Sequence, residues 1–164
     1  MKKLELINSM IFDDKEEIKF WLGYWRFQQK KIVFTNGCFD ILHRGHIDYL
    51  AKAADLGDVL IIGLNTDESV SRIKGKGRPI QDQHSRAMIL KALHFVDAVV
   101  LFNEDTPYDL IKFVKPDVLV KGSDYKPEDI VGYDVVKEKD GEIIAIDFLD
   151  GFSSSSIIQR ISDL

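Results

Sequence analysis

Short apolar runs alternate with longer segments of helical spacing along most of this chain. Lys31 to Thr35 is rich in β-branched and aromatic residues and reads as a strand, whereas Ile47 to Leu56 repeats its apolar positions with the period of a helix. Val59 to Leu64 is a second strand, and the polar stretch from Asn65 to Asp82 predicts a loop. A helix from about Gln83 to Phe95 follows, then a strand at Ala98 to Phe102 and a helix opened by Thr106 and Pro107. Val118 to Lys121 is a fourth strand leading into a Gly, Ser, Asp and Tyr loop. The last strand lies near Ile143 to Phe148, and Ser153 or Ser154 caps a final helix. At the start of the chain, Asp13 suits the cap of a helix whose third residue is Glu16. Ile18, Phe20, Trp21, Leu22, Trp25 and Phe27 supply its apolar content, an aromatic cluster that reads as packing material.

Apolar strands alternating with helices predict an α/β fold, a doubly wound and mainly five-stranded parallel sheet with helices on both faces. Ligands of such sheets bind beyond the carboxyl ends of the strands. That edge would collect Thr35, Asn36 and Gly37 after the first strand, Asn65 and Asp67 after the second, and Lys121, Gly122, Asp124 and Tyr125 at the fourth. Ser153 to Ser156 arrive there after the fifth.

Residues 35 to 46 concentrate the chemistry. Two histidines, His43 and His46, flank Gly45 where a strand hands over to a helix. Unpaired backbone N–H groups and the positive end of the helix dipole collect at that point, so the site favours phosphate before any side chain contributes. Gly45 leaves room for a phosphate to approach the backbone. A spacing of three puts both imidazoles on one side of the first turn, where they can grip one polyphosphate. Gly37, Phe39 and Asp40 of the same turn are candidate nucleotide contacts. A His-x-x-His pair can also be half a metal site, but Cys38 and Asp40 complete no familiar zinc spacing, and the site is expected to hold no metal of its own. Cys38 stands in no recognisable cysteine-hydrolase context, and His84 and His94 read as ordinary helix residues.

The loop Lys74-Gly75-Lys76-Gly77-Arg78-Pro79 is basic and glycine-rich. It is either a solvated surface loop or a lid that carries positive charge over phosphates. Arg86, on the next helix, is within reach of the same edge or serves the surface. Among the serines, Ser153, Ser154 and Ser155 are split between helix capping and gripping a second part of a triphosphate.

At 164 residues, 45% hydrophobic and 30% charged, the chain has the composition of one globular domain with a sizeable core. Residues 1–30 form a helical extension and 31–164 the core. The net charge of −5 argues against a broad nucleic-acid surface, which needs clustered and uncompensated Lys and Arg. The single Cys38 suits a reducing compartment. Glu5, Asn8 and Ser9 interrupt the only leader-like stretch, and no run approaches membrane-spanning length, so a cytoplasmic setting without membrane contact is expected.

The sequence TNGCFDILHRGHIDYL at 35–50 resembles the signature of the HxGH nucleotidyltransferases. Within them, the chain from about Lys31 is similar to the bacterial D-glycero-β-D-manno-heptose 1-phosphate adenylyltransferases. GRPI at 77–80, Arg86 with Met88 and Leu90, VDAVVLFNEDTP at 96–107, PDVLVKGSDY at 116–125, IVG at 130–132 and GFSSSSII at 151–158 resemble that family in the same order. The resemblance implies a Rossmann-like fold and transfer of AMP from ATP to heptose 1-phosphate, giving ADP-heptose and pyrophosphate for lipopolysaccharide or other surface glycans. It implies magnesium carried by the ATP phosphates. Such enzymes occur free or fused to a sugar kinase, and a chain of this length has room for the transferase alone, so a separate heptose kinase would act upstream. His43, His46, Lys76 and Arg78 are the catalytic candidates. A homodimer is expected only from the frequency of isologous dimers among small enzymes.

One departure bears on the base. Glycerol 3-phosphate cytidylyltransferases share the HxGH core but typically carry an Arg-Thr-x-Gly-Ile-Ser-Thr pattern before the last helix, and here Phe148 stands at the arginine position. Adenine is favoured over cytosine. The enzymatic alternative is a cytidylyl- or adenylyltransferase acting on another small phosphate such as glycerol 3-phosphate. The alternative of another class is a nucleotide-binding regulatory module without catalysis.

Overall fold

The computed structural model describes residues 2–123 and 126–164. Its centre is one parallel sheet. In chain order the elements are α1 (Lys3–Asn8), β1 (Ile11–Phe12), α2 (Lys19–Phe27), β2 (Ile32–Gly37), α3 (Arg44–Ala54), β3 (Val59–Asn65), α4 (Asp67–Lys74) and α5 (Gln83–Lys91). They continue with β4 (Ala98–Phe102), α6 (Tyr108–Val114), β5 (Val118–Gly122), α7 (Tyr133–Lys137), β6 (Glu142–Ile146) and α8 (Ser154–Ser162). The strands lie in the order β1-β4-β3-β2-β5-β6, and every neighbouring pair is parallel.

Every residue of β3 and β4 is buried, which explains why those strands read as unbroken apolar runs. Successive side chains point to opposite faces. Phe34, Ile61 and Val100 join one core, closed by Leu22 and Trp25 of α2 and by Leu110 and Ile111 of α6. Their neighbours Val33, Ile62 and Val99 join the other, closed by Tyr49 and Leu50 of α3 and Leu90 of α5. Each such side chain contributes roughly 1.5–3 kcal/mol by leaving water. The α/β reading of the sequence therefore holds, and Trp25 and Leu22 are packing residues. Phe20 and Phe27 instead point outward.

The sheet has six strands where five were expected. Two residues, Ile11 and Phe12, pair with Val99 and Val100; a strand that short has no readable period. Its presence moves the start of the next helix. Asp13 does not cap it, because Asp13 follows β1 directly and the helix begins at Lys19, after a turn in which Asp14 accepts the Glu16 N–H at 2.7 Å.

A second difference lies in the stretch read as loop from Asn65 to Asp82, where α4 forms over Asp67–Lys74. Thr66 caps it by accepting the Ser69 N–H, Asp67 and Glu68 sit in the first turn, and Gly75 ends it at φ 91°. Only Ser69 and Val70 are buried, so the apolar stripe is too thin to reveal a helix although its caps are in plain view. The predicted serine cap is Ser153, whose hydroxyl accepts the Ser156 N–H at 3.0 Å.

β2 pairs with β3 on one side and β5 on the other. The chain leaves β2 toward β3 and later crosses back to β5, so the connections after β2 and β5 diverge. A crevice opens between them, at the point where doubly wound sheets hold their ligands.

Candidate active site

That crevice is a cavity of about 430 Å³, walled by Asn36 and Gly37 from the end of β2 and by Lys121 and Gly122 from the end of β5. Lys121 Nζ donates to Asn36 Oδ1 and ties the two strand ends together. Phe39, Asp40, His46, Asn65, Lys74 and Ser154 complete the wall expected from the sequence. Cys38, Tyr49, Ile73, Asp105, Pro107 and Phe148 also line it. Of these, Tyr49 was legible: it stands one turn after His46 on the same helix face.

His43 is the extended residue before α3, at φ −140° and ψ 172°, and its carbonyl accepts the N–H groups of His46 and Ile47 at 2.9 and 3.2 Å. The two imidazoles stack with centroids 3.8 Å apart and planes 22° from parallel. The edge of Phe39, a residue at φ 44°, supports the His46 ring at 5.2 Å. Packing at Gly45 leaves little room for a side chain. A Cβ there would lie 3.1 Å from the His43 ring and 3.1 Å from Phe152 Cβ.

Both Nδ1 atoms are buried with no hydrogen-bond partner among the described residues. Burial lowers the His43 pKa. Burial, then the neighbouring His43 and Lys74, push His46 from the ordinary 6.5 down to about 4, against a hydrogen bond to the Ile41 backbone that raises it. Both rings are neutral near pH 7, and a neutral imidazole offers one N–H and one acceptor nitrogen.

A stability consequence follows. Between pH 6.5 and 4 the unfolded chain protonates this histidine and the folded chain does not. The contribution is therefore complete above the ordinary histidine pKa and declines as pH falls, by roughly 2–3 kcal/mol at the lower end. Urea unfolding at pH 7 and pH 4.5 checks it: His46→Gln loses less stability on acidification than the wild type, and equal losses would contradict the assignment.

Asp40 is 2% exposed and anchors the basic loop. Its Oδ1 accepts the Ile80 and Gln81 N–H groups at 2.8 and 3.0 Å, and its Oδ2 accepts Arg78 Nε at 2.6 Å. Arg78 Nη2 is buried without a partner among the described residues. Lys74 lines the cavity, whereas Lys76 is exposed outside it, between Gly75 and Gly77 at φ 91° and 88°.

The other predicted residues divide. Thr35 is fully buried, and its hydroxyl lies 2.8 Å from that of Tyr49, so it braces α3 behind the wall. Arg86, 1% exposed, donates to Gln81 O at 3.0 Å, Cys38 O at 2.6 Å and Asp67 Oδ1 at 2.7 Å. The buried Arg86 and the partly exposed Asp67 thus form a brace outside the cavity lining. Asn65 lines the cavity while its Nδ2 donates to Ser69 Oγ at 3.0 Å. Ser154 lines it too, with Oγ bonded to Ile41 O at 3.2 Å, while Ser153 is the cap and Ser155 is exposed. Asp124 and Tyr125 lie outside the described residues. Burial raises the Cys38 pKa, which keeps the sulfur a thiol. A larger cavity of about 520 Å³ near β1 and β4 is walled by Asp13, Asp14 and Glu104 against Lys15 alone, a charge balance unsuited to a triphosphate.

A doubly wound sheet with a histidine-bearing helix N-terminus at its switch point defines a nucleotide-handling site. Residues 34–160 match the family model described as cytidylyltransferase-like, and the chain belongs to that family. Every residue lining the 430 Å³ cavity falls within the match. The chain is 58% identical over 135 residues, 82% of its length, to the bifunctional protein HldE of Campylobacter concisus (strain 13826). It is 51% identical over 165 residues, 98% of its length, to the bifunctional protein HldE of Campylobacter jejuni (strain RM1221). The chain spans 28% and 34% of those two relatives. Among solved structures it is similar to the lipopolysaccharide core biosynthesis protein of Thermoplasma volcanium GSS1, at 35% identity and a TM-score of 0.63, covering 74% of this chain and 99% of that one. The pantoate-beta-alanine ligase of Francisella tularensis, 18% identical with a TM-score of 0.60 over 94% of this chain and 78% of that one, shares the fold. Among the described residues no helix is long and apolar enough to cross a membrane.

Proposed function

We propose that the chain transfers AMP from ATP to D-glycero-β-D-manno-heptose 1-phosphate, giving ADP-heptose and pyrophosphate. The observation that carries this reading is the pair of stacked imidazoles with unpartnered Nδ1 atoms, held at a helix N-terminus beside a cavity that also receives Lys74, Lys121 and Ser154. Relatives named HldE and a relative named for lipopolysaccharide core biosynthesis support the choice of acceptor.

A sugar phosphate already carries a nucleophilic oxygen, so the protein need not remove a proton, and catalysis reduces to positioning and charge stabilisation. The phosphate oxygen attacks the α-phosphorus in line, and pyrophosphate leaves with the bonding pair. His43 and His46 hydrogen-bond the phosphates as charge spreads, helped by the N-terminus of α3. Asn36 and Lys121 orient the α-phosphate and the acceptor, and Ser154 holds the distal phosphates. Lys74 neutralises charge from the wall, and Lys76 and Arg78 from the loop. Among the described residues no group of three or more His, Cys, Asp or Glu converges on an ion site, and Asp40 is engaged by Arg78, Ile80 and Gln81. In this proposal magnesium rides on the triphosphate oxygens, where it neutralises their charge. A kinase acting first, on this or another polypeptide, supplies the phosphorylated heptose in the cytoplasm.

The test is pyrophosphate release with magnesium, crossing ATP and CTP against heptose 1-phosphate and glycerol 3-phosphate. Release with ATP and heptose 1-phosphate alone is the expected result. Release with another pairing moves the substrate, and silence in all four mixtures overturns the transferase reading.

A further inference from the structure

The cavity wall contains one large aromatic side chain that the fold itself leaves uncovered. Phe39 and Tyr49 are 8% and 5% exposed, but Phe148, just beyond β6, is 53% exposed. Its ring stacks on Tyr49 with centroids 5.4 Å apart and planes 29° from parallel. Tyr49 is in turn fixed by its hydroxyl contact with Thr35. One side of the Phe148 ring therefore has a rigid backing, and the exposed part of the side chain borders the cavity. Phe20 and Phe27 are also exposed, but they belong to α2 and do not line this cavity.

The segment that carries Phe148 is bolted to the histidine helix. Phe152 packs against Gly45 and lies under the Arg44 guanidinium, 5.6 Å from carbon to ring centroid. The stacking face at Phe148 and the His46 imidazole consequently border the same cavity on segments packed against each other. A flat apolar surface and an imidazole thus border one cavity, as a ligand with a base at one end and phosphates at the other requires.

Resting on the nucleotide reading above, we propose that Phe148 is the surface on which the base stacks, and that it makes the site prefer a purine to a pyrimidine. A purine offers the larger π-face, and stacking needs no hydrogen-bond donor from the wall. Burial of the exposed phenyl surface under the base adds the hydrophobic gain of removing it from water.

The test is calorimetric titration of the full chain with ATP, CTP and inorganic tripolyphosphate, in the absence of acceptor, for the wild type, Phe148→Ala and Phe148→Trp. Phe148→Ala weakens ATP binding by roughly 5- to 100-fold, the range that alanine substitution gives for base stacking, while tripolyphosphate changes by less than about twofold. The same variant narrows the preference for ATP over CTP, and Phe148→Trp retains it. Unchanged ATP affinity in Phe148→Ala overturns the proposal. So does equal weakening of ATP and tripolyphosphate, which assigns Phe148 to holding the segment and Ser154 in place. Equal wild-type affinity for ATP and tripolyphosphate shows that no base is read and also overturns it. A wild type that binds neither brings down the nucleotide reading itself.

Discussion

His46→Ala lowers turnover by about 10²- to 10³-fold, the loss produced by removing one preorganised donor from a site of developing charge. The ring is held between His43 and Phe39, and its buried Nδ1 has no partner among the described residues. A ring held in place, whose Nδ1 becomes a donor once a bound phosphate favours the charged form, needs no reorganisation as phosphate charge spreads, so its contribution is largest in the transition state and small in the ground state. Nucleotide affinity in the variant therefore falls far less than turnover. The neutral state matters as well. With the pKa of His46 near 4 in the empty protein, a bound triphosphate favours the charged ring and raises that value. Single-turnover pyrophosphate release, measured beside nucleotide titration, separates the two effects. Near wild-type turnover would remove His46 from the mechanism, and parallel loss of binding and turnover would make it a ground-state contact.

Asp40→Ala destabilises the protein by about 3–5 kcal/mol, because it leaves a poorly exposed guanidinium and two backbone N–H groups without their acceptor. For a chain of this size that corresponds to a fall in melting temperature of roughly 6–20 °C. Burial by itself would raise the Asp40 pKa, but the N–H groups of Gln81 and Ile80 and the Arg78 guanidinium together hold it below the ordinary carboxylate value. Its contribution is present above that ordinary value and lost as pH falls through the folded-state one. Asp40→Asn keeps one acceptor oxygen and loses the charge, so it falls between alanine and wild type. Thermal unfolding of the three proteins at pH 7 checks the order. An alanine variant within 2 °C of wild type, well inside the scatter expected of an indifferent surface change, would show that the basic loop does not depend on this anchor.

The local geometry of residues 35–46 was legible because it depends on near neighbours in the chain. An apolar run followed by glycine, two histidines three apart and a helical pattern dictate a strand, a turn and a helix N-terminus whatever surrounds them. The same holds for the Ser153 cap and for the alternation that implied a parallel sheet. The roles of Thr35 and Arg86 could not be read in this way. Thr35 stands next to Asn36 in sequence, yet its hydroxyl goes to Tyr49 while Asn36 faces the cavity, since neighbours on a strand point to opposite sides. Arg78 and Arg86 are both basic residues near one edge. Only their partners show that one holds Asp40 at the pocket and the other is buried in a brace with Asp67.

The sequence by itself determined the α/β alternation, the histidine pair at a helix start and the serine cap, because each is set by contacts within a few residues of chain. Tertiary structure alone decided the added strand β1, the buried brace of Arg86 and the placement of Phe148 on Tyr49. Those depend on groups 88, 19 and 99 positions apart in the chain meeting across the fold, as Ile11 does with Val99, Asp67 with Arg86 and Tyr49 with Phe148. No local period or propensity encodes such meetings, since they are fixed by which faces the open sheet and its helices bring together.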